Sequence, residues 1–453
     1  MATKAKIDFT QGGIISKIII FAIPLILGEL FQNLYQSVDS LVVGNFVSKE
    51  ALAAVSVCSP ITNLVVGFFN GMSVGASVLM AHTVGQRDKE AVAPTMRVAF
   101  SFGIMLGAVL AALGVILTPQ LLGMADCAED IFGTAAQYLR IVMVGTTFTV
   151  IYNLGAGVLR ALGDTRSSLQ ILIVSSCLNI VLDLIFVVLL RGGVGGVAVA
   201  TVISQGISVW LVYRKMAQTN PAFRISFPEV FCSRKMVGEM VSIGLPAGLQ
   251  SSVVTISNVF IWRYVNGFDS TAVSAGVGVA QRLDRFVAMP VKTIGLAMTT
   301  FTGQNAGAGL HSRSRRGIRS GFLVSMGISV GLGAIVFAAS PLLVRLFNDD
   351  PEVIAIGVAM MRLIIPFYST MAVREIFFGA LRGYKDTRIP MFISWSGMVG
   401  VRQLFLAVSM HYNHDPVNIY WCYPVAWIST SLFIFVYYML RRDKLGITGP
   451  DAA

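Results

Sequence analysis

The sequence predicts an all-α polytopic membrane protein: twelve transmembrane helices in two six-helix lobes, related by a pseudo-two-fold axis along the membrane normal. Three observations predict it. The 453 residues are 55% hydrophobic and only 13% charged, where a soluble protein carries about 25% charged residues. Apolar runs of bilayer-crossing length recur from end to end. The segment VLRALGDTR at 158–166 also returns as ALRGYKDTR at 380–388.

The first run covers roughly 15–42 and contains IPLILGELFQNLYQSVDSLVVG, from Ile23 to Gly44. Its polar members Glu29, Gln32, Asn33, Gln36, Asp39 and Ser40 are spaced by three and four, which places them along one helical stripe. A carboxylate at membrane depth is costly and faces a polar cavity or a partner. With no cleavable signal ahead of it, this segment is expected to stay as a span. Five further runs follow at 51–83, 92–118, 132–160, 167–190 and 194–214. A polar, basic stretch around 215–236 contains Pro221 and Pro228, which limit helix continuity. Beyond it lie runs at 237–266, 271–303, 315–342, 352–381, 388–411 and 418–440. The expected domains are an N-lobe at 1–214, a cytoplasmic linker at 215–236 and a C-lobe at 237–453.

The net charge of +11 is an orientation signal, so no nucleic-acid partner is expected. Lys4, Lys6, Lys17, Arg87, Lys89, Arg214, Lys215, Arg313, Arg315, Arg316, Arg319, Arg441 and Arg442 all fall on the side shared by the two termini. The opposite loops hold only Lys49, Arg191, Arg263 and Arg345. The positive-inside rule then puts both termini in the cytoplasm. The repeat extends beyond one motif. IPL at 23–25 matches LPA at 245–247 at the same offset of 222, and VGQRDKE at 84–90 resembles TGQNAGA at 302–308 at an offset of 218. Six spans per half give both halves the same orientation, the plan of parallel-repeat transporters.

IPLILGELFQNLYQSVDSLVVG, NGMSVGASVLMAHTVGQRD, GVLRALGDTR and LNIVLD together resemble the multidrug and toxic compound extrusion (MATE) family, over nearly the whole chain. The N-lobe looks most like the prokaryotic branch similar to DNA-damage-inducible transporters. The resemblance implies export of cationic amphipathic compounds driven by inward proton or sodium flow. It also implies a coupling site at Asp39, Asn179, Asp183 and Thr201, and a hinge at Pro24. Two departures stand out: Leu184, where many relatives have proline, and Ala156, where a second asparagine is expected after Asn153.

The residues support such a site independently. Asp39 and Asp183 are rare intramembrane acids, and Asn179 lies one turn before Asp183 on the same face. Two acids in one partly desolvated cavity favour proton pick-up; with Asn179 and Thr201 their oxygens equally suit a sodium ion. Gln32, Asn33, Gln36, Asn153, Glu29 and Glu375 are the wider cavity candidates; amides such as Gln32, Asn33 and Gln36 are more often interhelical contacts than ligands, and Glu29 suits either role. The acid pair has no repeat in the C-lobe, where Asp39 maps to Ile261 and Asp183 to Phe405. That lobe carries Arg282, Asp284, Arg285, Arg374, Glu375 and Arg402 instead, so energy coupling is expected in the N-lobe.

Cys58, Cys127, Cys177, Cys232 and Cys422 lack metal-like spacing, and no structural metal is expected beyond sodium at the Asp39/Asp183 site. No cofactor is expected, and no nucleophile, zinc or phosphate-loop motif points to an enzyme. The expected protein is a monomeric secondary exporter of small organic cations, in contact with membrane lipid, in a prokaryotic cytoplasmic membrane. The alternative is a flippase for lipids or lipid-linked oligosaccharides, kept open by Arg282, Arg285, Lys292 and Arg402.

Overall fold

In lipid every backbone N–H and C=O must be bonded within its own segment, so apolar runs become helices. The computed structural model describes residues 7–47, 49–447, 449 and 451; the side chains at positions 36, 39–43, 45 and 49 lie outside that description. Among the described residues every regular element is helical. In the first half these are α1 (Ile14–Phe46), α2 (Lys49–Gly85), α3 (Lys89–Met124), α4 (Glu129–Ala161), α5 (Thr165–Asp183) with a π-helical turn at Leu184–Leu189, and α6 (Gly193–Thr219). After the short α7 (Phe227–Cys232) come α8 (Arg234–Asn266), α9 (Thr271–Gly307) and α10 (His311–Arg345). Then α11 (Pro351–Ile364) runs through one 3₁₀ turn into α12 (Tyr368–Gly383). A π-helical turn at Ser396–Val401 joins α13 (Arg388–Trp395) to α14 (Arg402–Tyr412), and α15 (Val417–Arg441) follows.

Eleven of these segments are long and apolar enough to cross a membrane. The remaining predicted span, α9, is as long as α2 at 37 residues but carries Arg282, Asp284, Arg285 and Lys292 in its middle.

The repeated motifs are helix-boundary devices. Gly163 and Lys385, 222 positions apart, both adopt left-handed backbone, with φ of 80° and 64°. Asp164 then caps α5 by accepting from the Ser167 amide at 3.0 Å and pairs with Lys215 at 3.4 Å. Asp386 in the second half accepts from Tyr437 Oη at 2.8 Å instead. The structure corrects one register. Helices α2 and α9 differ by 222 positions at both their starts and their ends. The left-handed residues that follow them, Arg87 and Gly309, do too. The similarity of VGQRDKE to TGQNAGA at 218 is therefore local, and α2 and α9 repeat at 222.

The chain divides into two compact units. One comprises Ile23–Ser252 with residues 7 and 8, and the other Phe9–Ala22 with the chain from Val253 onward. The division falls inside α1, next to Pro24, and inside α8. It does not coincide with the expected boundaries at 214 and 237. The 215–236 stretch instead packs within the first unit, where Glu229 pairs with Arg97 at 2.7 Å and the Ser226 amide donates to Ser101 Oγ at 3.0 Å. In that unit α4 packs against α2, α3 and α6 over a core that includes Phe69, Met96, Phe100 and Leu154. In the other, α9 packs against α10, α11 and α12 over a core that includes Val277, Met361, Ile364 and Trp427.

Residues 9–22 are fastened to the second unit by its GQN motif. The Phe9 amide donates to Gln304 Oε1 at 2.8 Å, while Asn305 Nδ2 and Arg313 Nε donate to the Phe9 carbonyl at 3.2 and 2.8 Å. The Phe9 ring, fully buried, meets Phe21 and Phe301. Gln304→Leu leaves the buried Phe9 amide without this acceptor, at a cost of about 1–3 kcal/mol. Limited proteolysis in detergent is expected to cut the variant faster within residues 9–22, and an unchanged cleavage rate would refute this anchoring role.

Candidate functional site

Five helices of the first unit, α1, α2, α4, α5 and α6, converge on a polar pocket of about 1040 Å³, a volume that includes its open mouth. Its walls are mostly neutral hydrogen-bonding side chains. Gln32 and Tyr35 come from α1, Asn63 and Asn70 from α2, Tyr152 and Asn153 from α4, Asn179 from α5, and Thr201 and Gln205 from α6. Helix α3 stays outside and supports α4: Thr147 Oγ1 donates to the Gly107 carbonyl at 3.0 Å.

The inner wall is built from α5 and α6. Asn179 is 2% exposed and donates through Nδ2 to Thr201 Oγ1 at 3.5 Å. Thr201 in turn donates to its own helix, at the Val197 carbonyl, 3.1 Å away. That hydrogen-bond direction leaves acceptors over. Asn179 Oδ1 and Gln205 Oε1 are buried with no hydrogen-bond partner among the described residues. Buried carbonyl oxygens without donors favour a cation or a proton-bearing group beside them.

Asp183 lies one turn beyond Asn179. It is fully buried and is not part of the pocket wall. It is also the last residue of α5 before the π-helical turn that opens at Leu184. In such turns the i→i−4 bonding shifts register, a feature frequent at functional sites; the Leu190 amide reaches back to the Ile185 carbonyl at 2.9 Å. Where many relatives are expected to have proline, this chain interrupts the α-helix with a π turn.

The structure thus brings together Gln32, Asn153, Asn179 and Thr201, with Asp183 enclosed just behind Asn179. Gln36 and Asp39 belong to α1, but their side chains lie outside the described residues. Glu29 and Asn33 are exposed and absent from the pocket wall; Glu29 is within electrostatic reach of Arg160. Pro24 is buried in α1. Glu375 belongs to the second unit, where Arg374 Nη2 holds it at 2.9 Å. Sequence reasoning passed over Asn63, Asn70 and Gln205. Their signal was the spacing: seven residues between the two asparagines, and four from Thr201 to Gln205.

The family model described as MatE matches residues 24–185 and again 246–408, so its two matches begin 222 positions apart. The probable multidrug resistance protein YpnP of Bacillus subtilis is 28% identical over 446 residues, covering 94% of this chain and 98% of that protein. The multidrug resistance protein PmpM of Pseudomonas aeruginosa is 26% identical, with 85% and 82% covered. Among solved structures, a MATE protein in its bent conformation matches with a TM-score of 0.91 at 21% identity. That match covers 99% of each chain and shows the shared fold.

Proposed function

The chain belongs to the MatE family, and from that premise we propose that it is a secondary active exporter. In this reading it moves amphipathic organic cations out of the cell in exchange for inward H⁺ or Na⁺, across a prokaryotic cytoplasmic membrane with both termini inside. The observation that carries the reading is the pocket of the first unit: unbonded acceptor oxygens on Asn179 and Gln205, one turn from an enclosed carboxylate at Asp183. The names of YpnP and PmpM point the same way.

The geometry suggests a cycle. An ion or proton entering the pocket is drawn to the Asn179 and Gln205 oxygens and neutralises the charge at Asp183; the family resemblance adds Asp39 of α1 to this role. Such a ligand shifts a conformational equilibrium only by its differential affinity for the two states. The element it biases is α1, whose Pro24 removes one helical hydrogen bond. The division of α1 between the two units falls beside this residue, which supports its role as hinge. Occupancy of the pocket then opposes binding of the cationic substrate, and the two alternate.

The test is efflux of a fluorescent organic cation from proteoliposomes containing the full chain, with a sodium or a pH gradient imposed separately. Export that follows one gradient names the coupling ion. Rates equal to those of protein-free vesicles under both gradients would overturn the reading. The second reading, a lipid flippase, is favoured by the charged residues in the middle of α9.

A further inference from the structure

Halfway along α9 stand three cations with no acid in direct contact, although Asp284 is within electrostatic reach of Arg285 and Lys292. Among the described residues Arg282, Arg285 and Lys292 make no hydrogen bond and no salt bridge. The two nearby acids are engaged elsewhere: Glu375 pairs with Arg374 at 2.9 Å, and Asp284 accepts from Tyr368 Oη at 2.9 Å. Lys292 is within electrostatic reach of both acids but touches neither. A fourth cation, Arg402, is 1% exposed and held only by neutral groups. It lies over the Tyr423 ring at 4.2 Å and bonds to Ser257, Asn258 and Cys422. Its Nη2 has no partner. Positive charge is in clear excess.

The three cations share one side of the helix, being spaced by three and seven. All are exposed, whereas the side of α9 packed on α10, α11 and α12 is buried. The exposed residues of α10 show what a lipid-facing side looks like in this unit: Leu323, Val330, Ile335 and Leu342. The contrast decides the environment of α9. Lys292 stands near the middle of a 37-residue helix, where a charge on a lipid face is costly. A side of α9 that borders water avoids this cost.

The internal repeat says what it does there. Gly157 of α4 packs on the Ser73 backbone of α2, and Gly379 of α12 packs on the Gly295 backbone of α9. Both members of the two contacts are 222 positions apart, which sets the register of α9 against α2. In that register Arg285 stands where the first unit has Asn63, and Lys292 where it has Asn70. Both asparagines line the polar pocket. Thr62, Asn153 and Thr201, also in its wall, correspond to Asp284, Glu375 and Tyr423. Neutral amides and hydroxyls of the pocket wall in one unit thus correspond to four ionisable side chains and one tyrosine in the other.

We propose that the second unit carries an anion-accepting subsite, built on Arg285 and Lys292 with Arg282 beside them, that takes the carboxylate or phosphate of an amphipathic molecule. The proposal rests on the exporter reading and gives the anionic group of such a substrate a place on the second unit. The same chemistry is offered by a lipid phosphate, and the test separates the two sources.

The full chain in phosphatidylcholine vesicles is titrated with rhodamine B, a zwitterion through its free carboxylate, and with its ethyl ester, a pure cation sharing the same ring system. In the double variant Arg285→Gln/Lys292→Gln, rhodamine B binding is expected to weaken about tenfold or more, because two charge-assisted contacts are lost. Ester binding stays within about twofold of wild type, and Lys292→Arg retains rhodamine B. Equal losses for both dyes, no loss for either, or no binding of rhodamine B to wild type would overturn the subsite. Phosphatidylglycerol that displaces rhodamine B from wild type supports the subsite and assigns it to lipid phosphate; no displacement assigns it to the exported compound. Gradient-driven efflux of the ester is scored separately, so a failed exporter reading leaves the binding result interpretable.

Discussion

Asp183→Asn is expected to lower gradient-driven efflux of an organic cation by about tenfold or more, while the protein is made and folded normally. Asparagine keeps the shape of the side chain, so packing at this fully buried position is undisturbed. What it removes is the charge that, in the proposed cycle, an inward ion or proton neutralises. A ligand that no longer distinguishes two conformations cannot shift their populations, however tightly it binds. Stability is expected to hold or rise slightly, since a buried carboxylate is costly to desolvate. The check is efflux from proteoliposomes together with the thermal unfolding midpoint. Wild-type efflux in Asp183→Asn would remove this carboxylate from the coupling mechanism. Asn179→Leu, which deletes one unbonded acceptor and the contact to Thr201, is expected to weaken coupling less and mainly to raise the ion concentration required.

Gly75→Val carries the largest expected effect on folding. A Cβ at Gly75 lands on the Met240 carbonyl oxygen, and one at Gly71 lands on the backbone of Ala247 and Gly248. Helices α2 and α8 therefore meet backbone to backbone inside the first unit, the close approach that small residues permit between membrane helices. A rotamer change cannot relieve a clash with backbone, so one helix must move. Overpacking of this kind costs about 3 kcal/mol or more, a large part of a marginal stability. The expected readout is loss of the monodisperse peak in detergent size-exclusion chromatography. Gly67→Ala is the control, because nothing lies near its Cβ. A wild-type profile for Gly75→Val would show that the two helices have room to separate.

Part of the polar pocket was legible in the sequence because its elements are local. Asn179 and Asp183 are four apart on one helix, and intramembrane acids are scarce enough to single out. The first-helix stripe was read too widely. Asn33 sits about 100° around the helix from Gln32, and the pocket takes Gln32 and Tyr35 while leaving Asn33 and Glu29 outside. Asn63, Asn70 and Gln205 were missed because an amide in an apolar helix looks the same whether it lines a cavity or joins two helices. Only the convergence of five helices tells them apart. Leu184 shows the reverse case, where a missing proline left no sequence signal for the π turn that replaces it.

By itself the sequence determined that this chain crosses a membrane many times as helices, and that it is built twice. Those properties follow from apolar length, charge placement and repeated boundary motifs, each set within one stretch of chain, because lipid forces every segment to satisfy its own backbone. Tertiary structure alone decided which polar side chains share a pocket, that residues 9–22 belong with the second unit, and that the repeat partners of Arg285 and Lys292 are pocket amides. Those outcomes depend on contacts between residues hundreds of positions apart, and in a membrane protein hydrophobicity cannot encode them, since apolar side chains face both lipid and core.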